Sequence, residues 1–383
     1  MKIVFLENVI DFGGARKSTI ELASNLSINN DVYVVDVHGT CQPFVDACNN
    51  SDVKLEILLK QDNQVILANS RNIFTRLVQY IKFFLVTIRA RKKLKSLFEQ
   101  ISPDYVIINN TKVLPLLFKN KSTAKVVLFA RGWFLPQQIN RRDKFLYSKL
   151  VDRYCCVSEA TRHALIASGL ASLSNTFVVH NSINLSKLQQ VEPAQIHARP
   201  GEVKVLVSGG FLPSKGLHVA VEVAKVLKDR SFPFKMIITG IVYNSRTSKA
   251  YYEKILNLIE TYNIADSIQM EVGRSSVLQY FKAADVFMHA SDTEGLPRVI
   301  MEAMACRLPV IANAVGGVTD YILNGYTGIL TRHNSVEDYA NAIIDLFKET
   351  SFRDSLIDNA YQLITTCYHS DQQIDAFQKM LNA

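Results

Sequence analysis

The 383-residue sequence lacks several features that would place it at once in a class of protein. Its six cysteines form no C-x-x-C pair, and no cluster of cysteine and histidine has the spacing of a zinc site. No apolar run approaches the roughly 20 residues that span a bilayer, and the longest candidate, residues 80–88, contains Lys82. Because an Asp-x-Asp motif is also absent, a divalent cation would lack a common pair of ligands. We therefore expect no metal site and no bound cofactor.

The composition is that of a folded protein. Apolar residues make up 48% and charged residues 20% of the chain, whose length suits two ordinary domains. The N-terminus has only Met1 and Lys2 and then a short apolar run before Glu7. A secretory signal needs a longer run, so we expect the first strand of the fold there.

Strand-like and helix-like segments alternate along the chain, which predicts doubly wound parallel sheets. In the first half the predicted strands are 2–6, 31–37, 53–58, 105–108, 125–129 and 177–179, and helices are predicted at 15–26 and from about 71 to 100. In the second half the predicted strands are 203–207, 235–239, 267–271, 286–289, 310–312 and 328–330, followed by mostly helix after Ser335.

Between Asn181 and Gly201 the periodicity lapses, and Pro193 and Pro200 interrupt the segment. The sequence thus predicts an α/β protein of two Rossmann-like domains whose parallel sheets face an interdomain cleft. The predicted limits are an N-terminal domain at 1–185, a linker at 186–200 and a C-terminal domain at 201–365, with a final helix at about 366–383 that packs back on the first domain. Ligands of such sheets bind at the carboxyl ends of the strands, so site residues are sought in the loops there.

The segment after the predicted strand 286–289 combines an acidic loop with the start of a helix. Glu294 lies in the loop, and we expect the helix to begin near Leu296, with Pro297 in its first turn. The N–H groups and the dipole at this end attract an anion such as a diphosphate. Glu302, about one and a half turns into the helix, can accept hydrogen bonds from two ribose hydroxyls, and Glu294 can reach a sugar. The alternative is an amphipathic helix with one acidic residue at its start, which a Gly-Gly loop after the next strand disfavours.

This segment resembles the signature of glycosyltransferase family 4 in the stretch E-G-L-P-R-V-I-M-E, from Glu294 to Glu302. The resemblance extends forward through V-G-G-V-T-D-Y-I at 315–322 and N-G-Y-T-G at 324–328, and back to 284–291. Weaker matches stand in the same order in the first half, at 13–16, 157–161 and 179–184. Members are retaining enzymes with the GT-B fold, so the resemblance implies transfer of a sugar from a nucleotide diphosphate donor.

The resemblance assigns a cationic side to the donor site. Lys215 and Gly216 match the Lys-Gly of the family, in which the cation holds the diphosphate and offsets charge on the departing phosphate. Gly210 stands where family members usually have an arginine, so one cation of the pair is missing. Arg298 or Arg16 is the candidate replacement.

The first half contributes residues by the same resemblance. Gly13 and Gly14 let the backbone approach the donor closely, and Arg131 occupies a loop in which many members place a histidine. The candidate catalytic residues are therefore Glu294, Lys215 and Arg131. The candidate substrate-binding residues are Gly13, Gly14, Arg16, Gly209, Gly210, Lys215, Gly295, Leu296, Pro297, Arg298 and Glu302.

The net charge of +8 lies entirely in the first half, since residues 1–190 carry +11 and residues 191–383 carry −3. Within the long predicted helix, five basic residues follow the apolar run 80–88: Arg89, Arg91, Lys92, Lys93 and Lys95. A helix lying on an anionic membrane and an ordinary helix with a solvated basic face both fit this pattern, and the charge of the whole half favours the membrane. No nucleic-acid recognition motif accompanies the charge, so no nucleic-acid partner is expected.

We predict a retaining, metal-independent hexosyltransferase that moves a sugar from a UDP- or GDP-sugar to a lipid-linked glycan, in the assembly of a surface polysaccharide or glycoconjugate. The expected location is the cytoplasm, on the inner face of the cell membrane. Two alternatives stay open. One is a nucleotide-sugar epimerase or a phosphorylase of the same fold, and the other is a degenerate transferase that serves as a nucleotide-sugar-binding scaffold.

Overall fold

The computed structural model describes residues 1–60, 73–118, 120, 123–132, 139, 141–273 and 277–383. These residues form two compact units, Met1–His180 with Gln373–Ala383, and Asn181–Gln372. The predicted α/β class is confirmed, because each unit carries a sheet whose strands pair in parallel. The domain limits drawn from the sequence stay a prediction beside this division. Residues 71–72 of the predicted long helix lie outside the described residues.

The first unit is built on seven strands: β1 (Lys2–Glu7), β2 (Asp31–Asp36), β3 (Lys54–Ile57), β4 (Tyr105–Ile108), β5 (Lys125–Ala130), β6 (Arg153–Cys156) and β7 (Thr176–Val178). Their order across the sheet is β3-β2-β1-β4-β5-β6-β7. The helices are α1 (Gly14–Ser27), α2 (Gln42–Asn49), α3 (Ile73–Ile101), α4 (Leu114–Leu117), α5 (Arg141–Leu150) and α6 (Glu159–Ala167). All four side chains of β4 are buried, as expected for a strand covered on both faces.

Strand β6 is absent from the predicted set. Arg153 opens the strand and only three residues of apolar character follow it, which is too short a run for a periodic signal. Arg153 pairs with the C-terminal helix α14 (Ser370–Asn382), where its Nη1 donates to the carbonyl oxygens of Met380 and Leu381 at 2.6 and 2.8 Å. The hydroxyl of Tyr105 also donates to Leu381. These bonds satisfy carbonyls that the end of a helix leaves without helical partners.

The second unit is built on six strands: β8 (Val203–Ser208), β9 (Phe234–Gly240), β10 (Ile268–Val272), β11 (Val286–His289), β12 (Val310–Asn313) and β13 (Ile329–Thr331). Each lies within one residue of its predicted bounds. The helices are α7 (Leu185–Gln189), α8 (Leu217–Asp229), α9 (Arg246–Thr261), α10 (Leu278–Phe281), α11 (Arg298–Ala305), α12 (Val336–Lys348) and α13 (Thr350–Cys367). The order across the sheet is β10-β9-β8-β11-β12-β13.

Each sheet reverses its strand order at one place. In the second unit the chain adds β9 and β10 on one side of β8 and then returns to add β11 on the other side. In the first unit β1 has the same position between β2 and β4. The loops after β8 and β11, and those after β1 and β4, therefore diverge at the carboxyl ends of neighbouring strands, which is where open α/β sheets bind ligands.

Among the described side chains of helix α3, those that are buried in the core all lie in its second half. Ala90, Leu94, Phe98 and Ile101 are buried in the core of the first unit, whereas most of the described side chains from 74 to 85 are exposed. Within the ranges described above, no helix combines the length and apolar character that crossing a bilayer requires.

Candidate active site

Two loops of the second unit meet where β8 and β11 lie side by side. The loop after β8 contains a 3-10 turn, Pro213–Lys215. In this turn the carbonyl of Ser214 accepts a hydrogen bond of 2.9 Å from the backbone N–H of Asp292, in the loop after β11. A third loop, after β12, contributes the N–H of Gly317, which donates to the carbonyl of Gly295 at 2.9 Å. The loop after β11 is therefore held on both sides by backbone hydrogen bonds.

Two glycines allow this close approach. Gly216 has a φ of +65°, and a Cβ atom there would lie 2.0 Å from the carbonyl oxygen of Ala290. Gly316 has a φ of +50°, and a Cβ atom there would lie 1.8 Å from the carbonyl oxygen of Glu294. Both positions require glycine, because other residues rarely adopt these φ values and their side chains would collide with the backbone.

Glu294 lies in the loop after β11, and its side chain is 12% exposed. One carboxylate oxygen, Oε1, accepts hydrogen bonds from Lys215 Nζ at 2.6 Å and from His289 Nε2 at 3.1 Å. Burial by itself raises the pKa of Glu294, but Lys215 and His289 together outweigh burial and lower the pKa to about 2. The carboxylate is therefore ionised at neutral pH and can accept hydrogen bonds from a sugar.

The helix after the acidic loop begins two residues later than predicted. α11 starts at Arg298, and Pro297 precedes it with an extended backbone, at a ψ of 114°. The hydroxyl of Tyr321 donates to the carbonyl of Pro297 at 3.0 Å, and the side-chain amide of Asn181 donates to the carbonyl of Leu296 at 2.8 Å. These two bonds fix an extended turn ahead of the helix, so the predicted start near Leu296 is wrong. Neither Tyr321 nor Asn181 was among the predicted site residues.

Glu302 is the fifth residue of α11 and faces Arg298, one turn earlier. Arg298 Nη2 lies 3.7 Å from Glu302 Oε1, and the two side chains are only 15% and 18% exposed. Arg298 is thus already paired with a carboxylate. To replace the arginine that is missing at Gly210, it would have to share its charge between Glu302 and a phosphate.

The two glycines after β8 lie against neighbouring side chains. A Cβ atom at Gly209 would lie 3.2 Å from Cβ of Lys215, and one at Gly210 would lie 2.5 Å from Cε2 of Tyr243. The ring of Tyr243 therefore fills the space into which a side chain at 210 would extend. No motif pointed to Tyr243, because it comes from a different loop, after β9.

Two of the predicted residues of the first unit, Arg16 and Arg131, are connected to a buried carboxylate at the end of β1, that of Glu7. Gly13 precedes α1 and Gly14 begins it, and a Cβ atom at either position would have no atom of the described residues within 4 Å. Arg16 Nη1 lies 3.2 Å from Oε2 of Glu7, which is fully buried. Burial outweighs the charge of Arg16 and raises the pKa of Glu7.

Arg131 is connected to the same carboxylate through Asn109. Arg131 Nε donates to Asn109 Oδ1 at 2.9 Å. Asn109 Nδ2 in turn donates to Glu7, and to the hydroxyl of Thr19 at 3.0 Å. The guanidinium of Arg131 also lies 4.0 Å from the ring centroid of Phe129. Glu7 and Asn109 were not predicted, although their places at the ends of β1 and β4 are a signal that could have identified them.

The predicted site residues thus fall into two groups, one in each unit. The structure brings Glu294 and Lys215 into contact, and it pairs Arg298 with Glu302. In the first unit it links Arg16 and Arg131 through Glu7 and Asn109. Across the described parts of the chain, no group of three or more histidine, cysteine, aspartate or glutamate side chains is placed to hold a metal ion.

Comparison with known proteins adds the family. Residues 189–363, which include Lys215, Glu294 and Glu302, match the family model described as glycosyl transferases group 1. The match covers 175 of the 383 residues, slightly less than half of the chain. The predicted resemblance to glycosyltransferase family 4 is confirmed.

Individual relatives are distant. An uncharacterized glycosyltransferase of Methanocaldococcus jannaschii is 29% identical over 252 residues, which are 63% of this chain and 64% of the relative. The capsular polysaccharide biosynthesis glycosyltransferase CapM of Staphylococcus aureus is 21% identical over 238 residues, 59% of this chain and 60% of the relative. The aligned parts therefore cover less than two thirds of either relative.

The fold has close structural matches. The crystal structure of Anabaena HepE in complex with UDP and glucose superposes with a TM-score of 0.80 at 18% sequence identity, covering 100% of this chain and 99% of that one. At this identity the similarity concerns the fold alone, and it confirms the predicted GT-B class.

We expect Gly216→Ala to destabilise the protein more than Gly201→Ala. Both glycines have a left-handed backbone, with φ of +65° and +85°, but a Cβ atom at 201 would have no described atom within 4 Å. The left-handed conformation costs alanine about 1–2 kcal/mol at either position, and the clash with Ala290 adds about 1–3 kcal/mol at 216. Urea denaturation of the two variants measures the difference. Equal losses would contradict the close approach of the two loops.

We expect Glu294→Gln to weaken the dependence of the melting temperature on pH at acidic pH. A carboxyl whose pKa falls from 4.5 to about 2 on folding stabilises the folded state above pH 4.5, and this stabilisation is lost as the pH falls toward 2. The effect is worth about 3 kcal/mol at neutral pH. Melting temperatures between about pH 3 and pH 7 measure it, with Glu337→Gln, in an exposed ion pair, as the control. Parallel profiles for the wild type and Glu294→Gln would refute the described pairing.

Proposed function

We propose that this protein is a retaining glycosyltransferase that moves a sugar from a nucleoside diphosphate sugar to a glycan. The pair of Lys215 and Glu294 carries the proposal, because it joins a cation and an ionised carboxylate, 2.6 Å apart, at the strand ends of the second unit. The cation can stabilise a departing diphosphate, and the carboxylate can accept hydrogen bonds from sugar hydroxyls. The match of residues 189–363 to the glycosyl transferases group 1 model supports the same activity.

In the proposed complex the second unit holds the donor. Glu302 accepts hydrogen bonds from the ribose hydroxyls, and the N–H groups at the start of α11, beyond the turn at 295–297, face the diphosphate. Lys215 offsets the charge that develops on the departing phosphate, so that the leaving group is stabilised without a metal ion. Glu294 orients the sugar ring and favours positive charge at its anomeric carbon.

The proposed reaction retains configuration because the acceptor hydroxyl attacks from the face of the leaving group. The bond between the anomeric carbon and the phosphate oxygen breaks as the new glycosidic bond forms, and the hydroxyl proton passes to the departing phosphate. Arg131, held by Asn109, is proposed to lie near the acceptor and the transferred sugar. Gly13, Gly14 and Arg16 are proposed to contact the donor from the first unit.

We propose a UDP-hexose as the donor, with a GDP-sugar as the alternative, and a lipid-linked glycan as the acceptor. The solved structure of Anabaena HepE contains UDP and glucose, which supports the choice of nucleotide. The description of the Staphylococcus aureus relative as a capsular polysaccharide enzyme supports a role in surface polysaccharide assembly.

A second candidate function is nucleotide-sugar binding without transfer. The position of Tyr243 beside Gly210 favours it, since a phenol does not supply the positive charge of the arginine that is usual there. Stabilisation by nucleotides, with no release of nucleotide from any nucleotide sugar, would support this function over the first.

We also propose that α3 binds an anionic membrane surface. Seven large apolar side chains are exposed along its first half, and all but Phe83 form one group: Phe74, Leu77, Val78, Ile81, Phe84 and Leu85. At about 100° per residue they share one face of the helix. That face is opposite to the one that buries Ala90, Leu94 and Phe98 in the core. A contiguous apolar stripe on a surface indicates contact with a partner.

The charge of α3 favours an anionic lipid as that partner. Lys92 and Lys95 continue the apolar stripe along the same face, Arg89 and Lys93 flank it, and all four side chains are exposed. No aspartate or glutamate occurs from residue 63 to residue 98. Each basic side chain near an anionic surface contributes about 1 kcal/mol, and the apolar stripe can enter the headgroup boundary. This placement would bring the protein to a lipid-linked acceptor on the inner face of the membrane.

We expect Glu302→Ala and Glu294→Gln to affect different steps. Loss of the ribose hydrogen bonds should weaken donor binding about tenfold or more, whereas loss of the negative charge at 294 should lower kcat about 100-fold with a smaller change in affinity. Calorimetry with UDP-glucose and a GDP-sugar measures binding, and UDP or GDP release with a panel of lipid-linked saccharides measures turnover. Glu337→Gln is the control. If no nucleotide or nucleotide sugar binds, the proposed function is wrong; unchanged transfer in both variants would reject the site.

We expect the wild type to co-sediment with vesicles that contain phosphatidylglycerol, and less so at high salt. Replacing Lys92 and Lys95 by glutamine should weaken binding about tenfold or more, as should Ile81→Ser with Leu85→Ser. The same change of charge at Lys348 and Lys379, which are 69% and 76% exposed elsewhere, should have no effect. Equal binding to pure phosphatidylcholine vesicles would reject the charge argument. A dimer that is abolished by the serine variant would assign the stripe to a second copy of the chain.

A further inference from the structure

We propose that His289 is a positioning residue that fixes the carboxylate of Glu294 for the sugar. The inference rests on the proposed function, because it concerns the residue that is proposed to orient the donor sugar. His289 lies within the stretch 284–291 that shares the family resemblance, but no role was predicted for it from the sequence, and its contact with Glu294 is visible only in the structure.

The imidazole of His289 is held rigidly. His289 is the last residue of β11 and its side chain is 3% exposed. Its backbone carbonyl accepts a hydrogen bond of 2.8 Å from the hydroxyl of Tyr339, which is fully buried. Its ring centroid lies 5.9 Å from that of Phe287 in the same strand. The hydrogen bond from Tyr339 fixes the backbone of His289, and burial beside the ring of Phe287 restricts rotation of the imidazole, so that the imidazole can fix a neighbouring group.

The contact fixes one oxygen of Glu294. An ionised carboxylate only accepts hydrogen bonds, so His289 must donate through Nε2–H across the 3.1 Å to Oε1. Lys215 donates to the same atom at 2.6 Å. Within the described residues, Oε2 accepts no hydrogen bond. The two donors thus set the rotation of the carboxylate and leave Oε2 available for a sugar hydroxyl.

His289 is the hydrogen-bond partner that stays on Glu294 when the nucleotide sugar binds. The ammonium group of Lys215 lies at the end of a flexible side chain that is 31% exposed, and it is proposed to turn toward the diphosphate. If it were the sole partner, Glu294 would lose its orientation at the moment when the sugar arrives. His289 lies in a strand and remains on Oε1, so its effect falls on turnover more than on donor affinity.

The test compares His289→Leu, which removes the donor, with His289→Gln, whose amide can donate in its place. We expect His289→Leu to lower kcat roughly 10- to 100-fold, as loss of a hydrogen bond to a charged group does, with a change of donor Kd below about threefold. His289→Gln should recover at least part of that loss. In a Glu294→Gln background, His289→Leu should cause little further loss, because the residue acts through Glu294.

Val286→Ala serves as the control for packing. It removes buried methyl groups from the same strand, on the face opposite to His289, so it should lower the melting temperature while changing kcat by less than about threefold. Equal losses in His289→Leu and His289→Gln, or losses that multiply with Glu294→Gln, would overturn the inference. The proposed function is tested separately by turnover of the wild type and of Glu294→Gln, so a wild-type level of activity in His289→Leu rejects only the role of His289.

Discussion

The contact between Lys215 and Glu294 requires two loops of the second unit to approach unusually closely. Moving two charges out of water costs several kcal/mol per ion, and only short distances and additional hydrogen bonds recover that cost. The glycines at 216 and 316 permit the approach, since each places its backbone against a carbonyl of the loop that carries Glu294. His289 then supplies the second donor to the carboxylate. The late start of α11 belongs to the same arrangement, because the turn before it is held by side-chain bonds to its carbonyls.

Each unit places a buried carboxylate beside the point where its strand order reverses, but with opposite electrostatic results. Glu7 ends β1 and Glu294 follows β11, both beside the place where the strand order reverses. For Glu7, burial prevails over Arg16 and Asn109 and raises the pKa. For Glu294, a lysine and a histidine on a single oxygen prevail over burial and lower it. Topology therefore determines where the carboxylate lies, while the number and closeness of its donors determine its charge.

The sequence predicted those features that depend on local pattern. The strands of the second unit were predicted because buried parallel strands are short apolar runs. Lys215 and Glu294 were singled out because they stand in motifs, and the structure brings them into contact. Prediction from the sequence failed for features that depend on residues elsewhere in the chain. β6 opens on Arg153, whose hydrogen-bond partners lie in α14, and the start of α11 depends on Asn181 and Tyr321. The bond between Glu7 and Asn109 joins residues that are distant in sequence, so no periodicity could indicate it.

The pairing of charges in the second unit also bears on which ligand fits the proposed donor site. Lys215 is paired with Glu294 and Arg298 with Glu302, and the neutral ring of Tyr243 fills the space beside Gly210. An inorganic phosphate could draw the two cations away, but it would leave two partly buried carboxylates with fewer partners, which is costly. A nucleotide sugar brings hydroxyls as well as phosphates, so it can satisfy the carboxylates while its diphosphate takes up the cations. The site is therefore better matched to the whole donor than to its anionic part, and specificity follows from the exchange of partners.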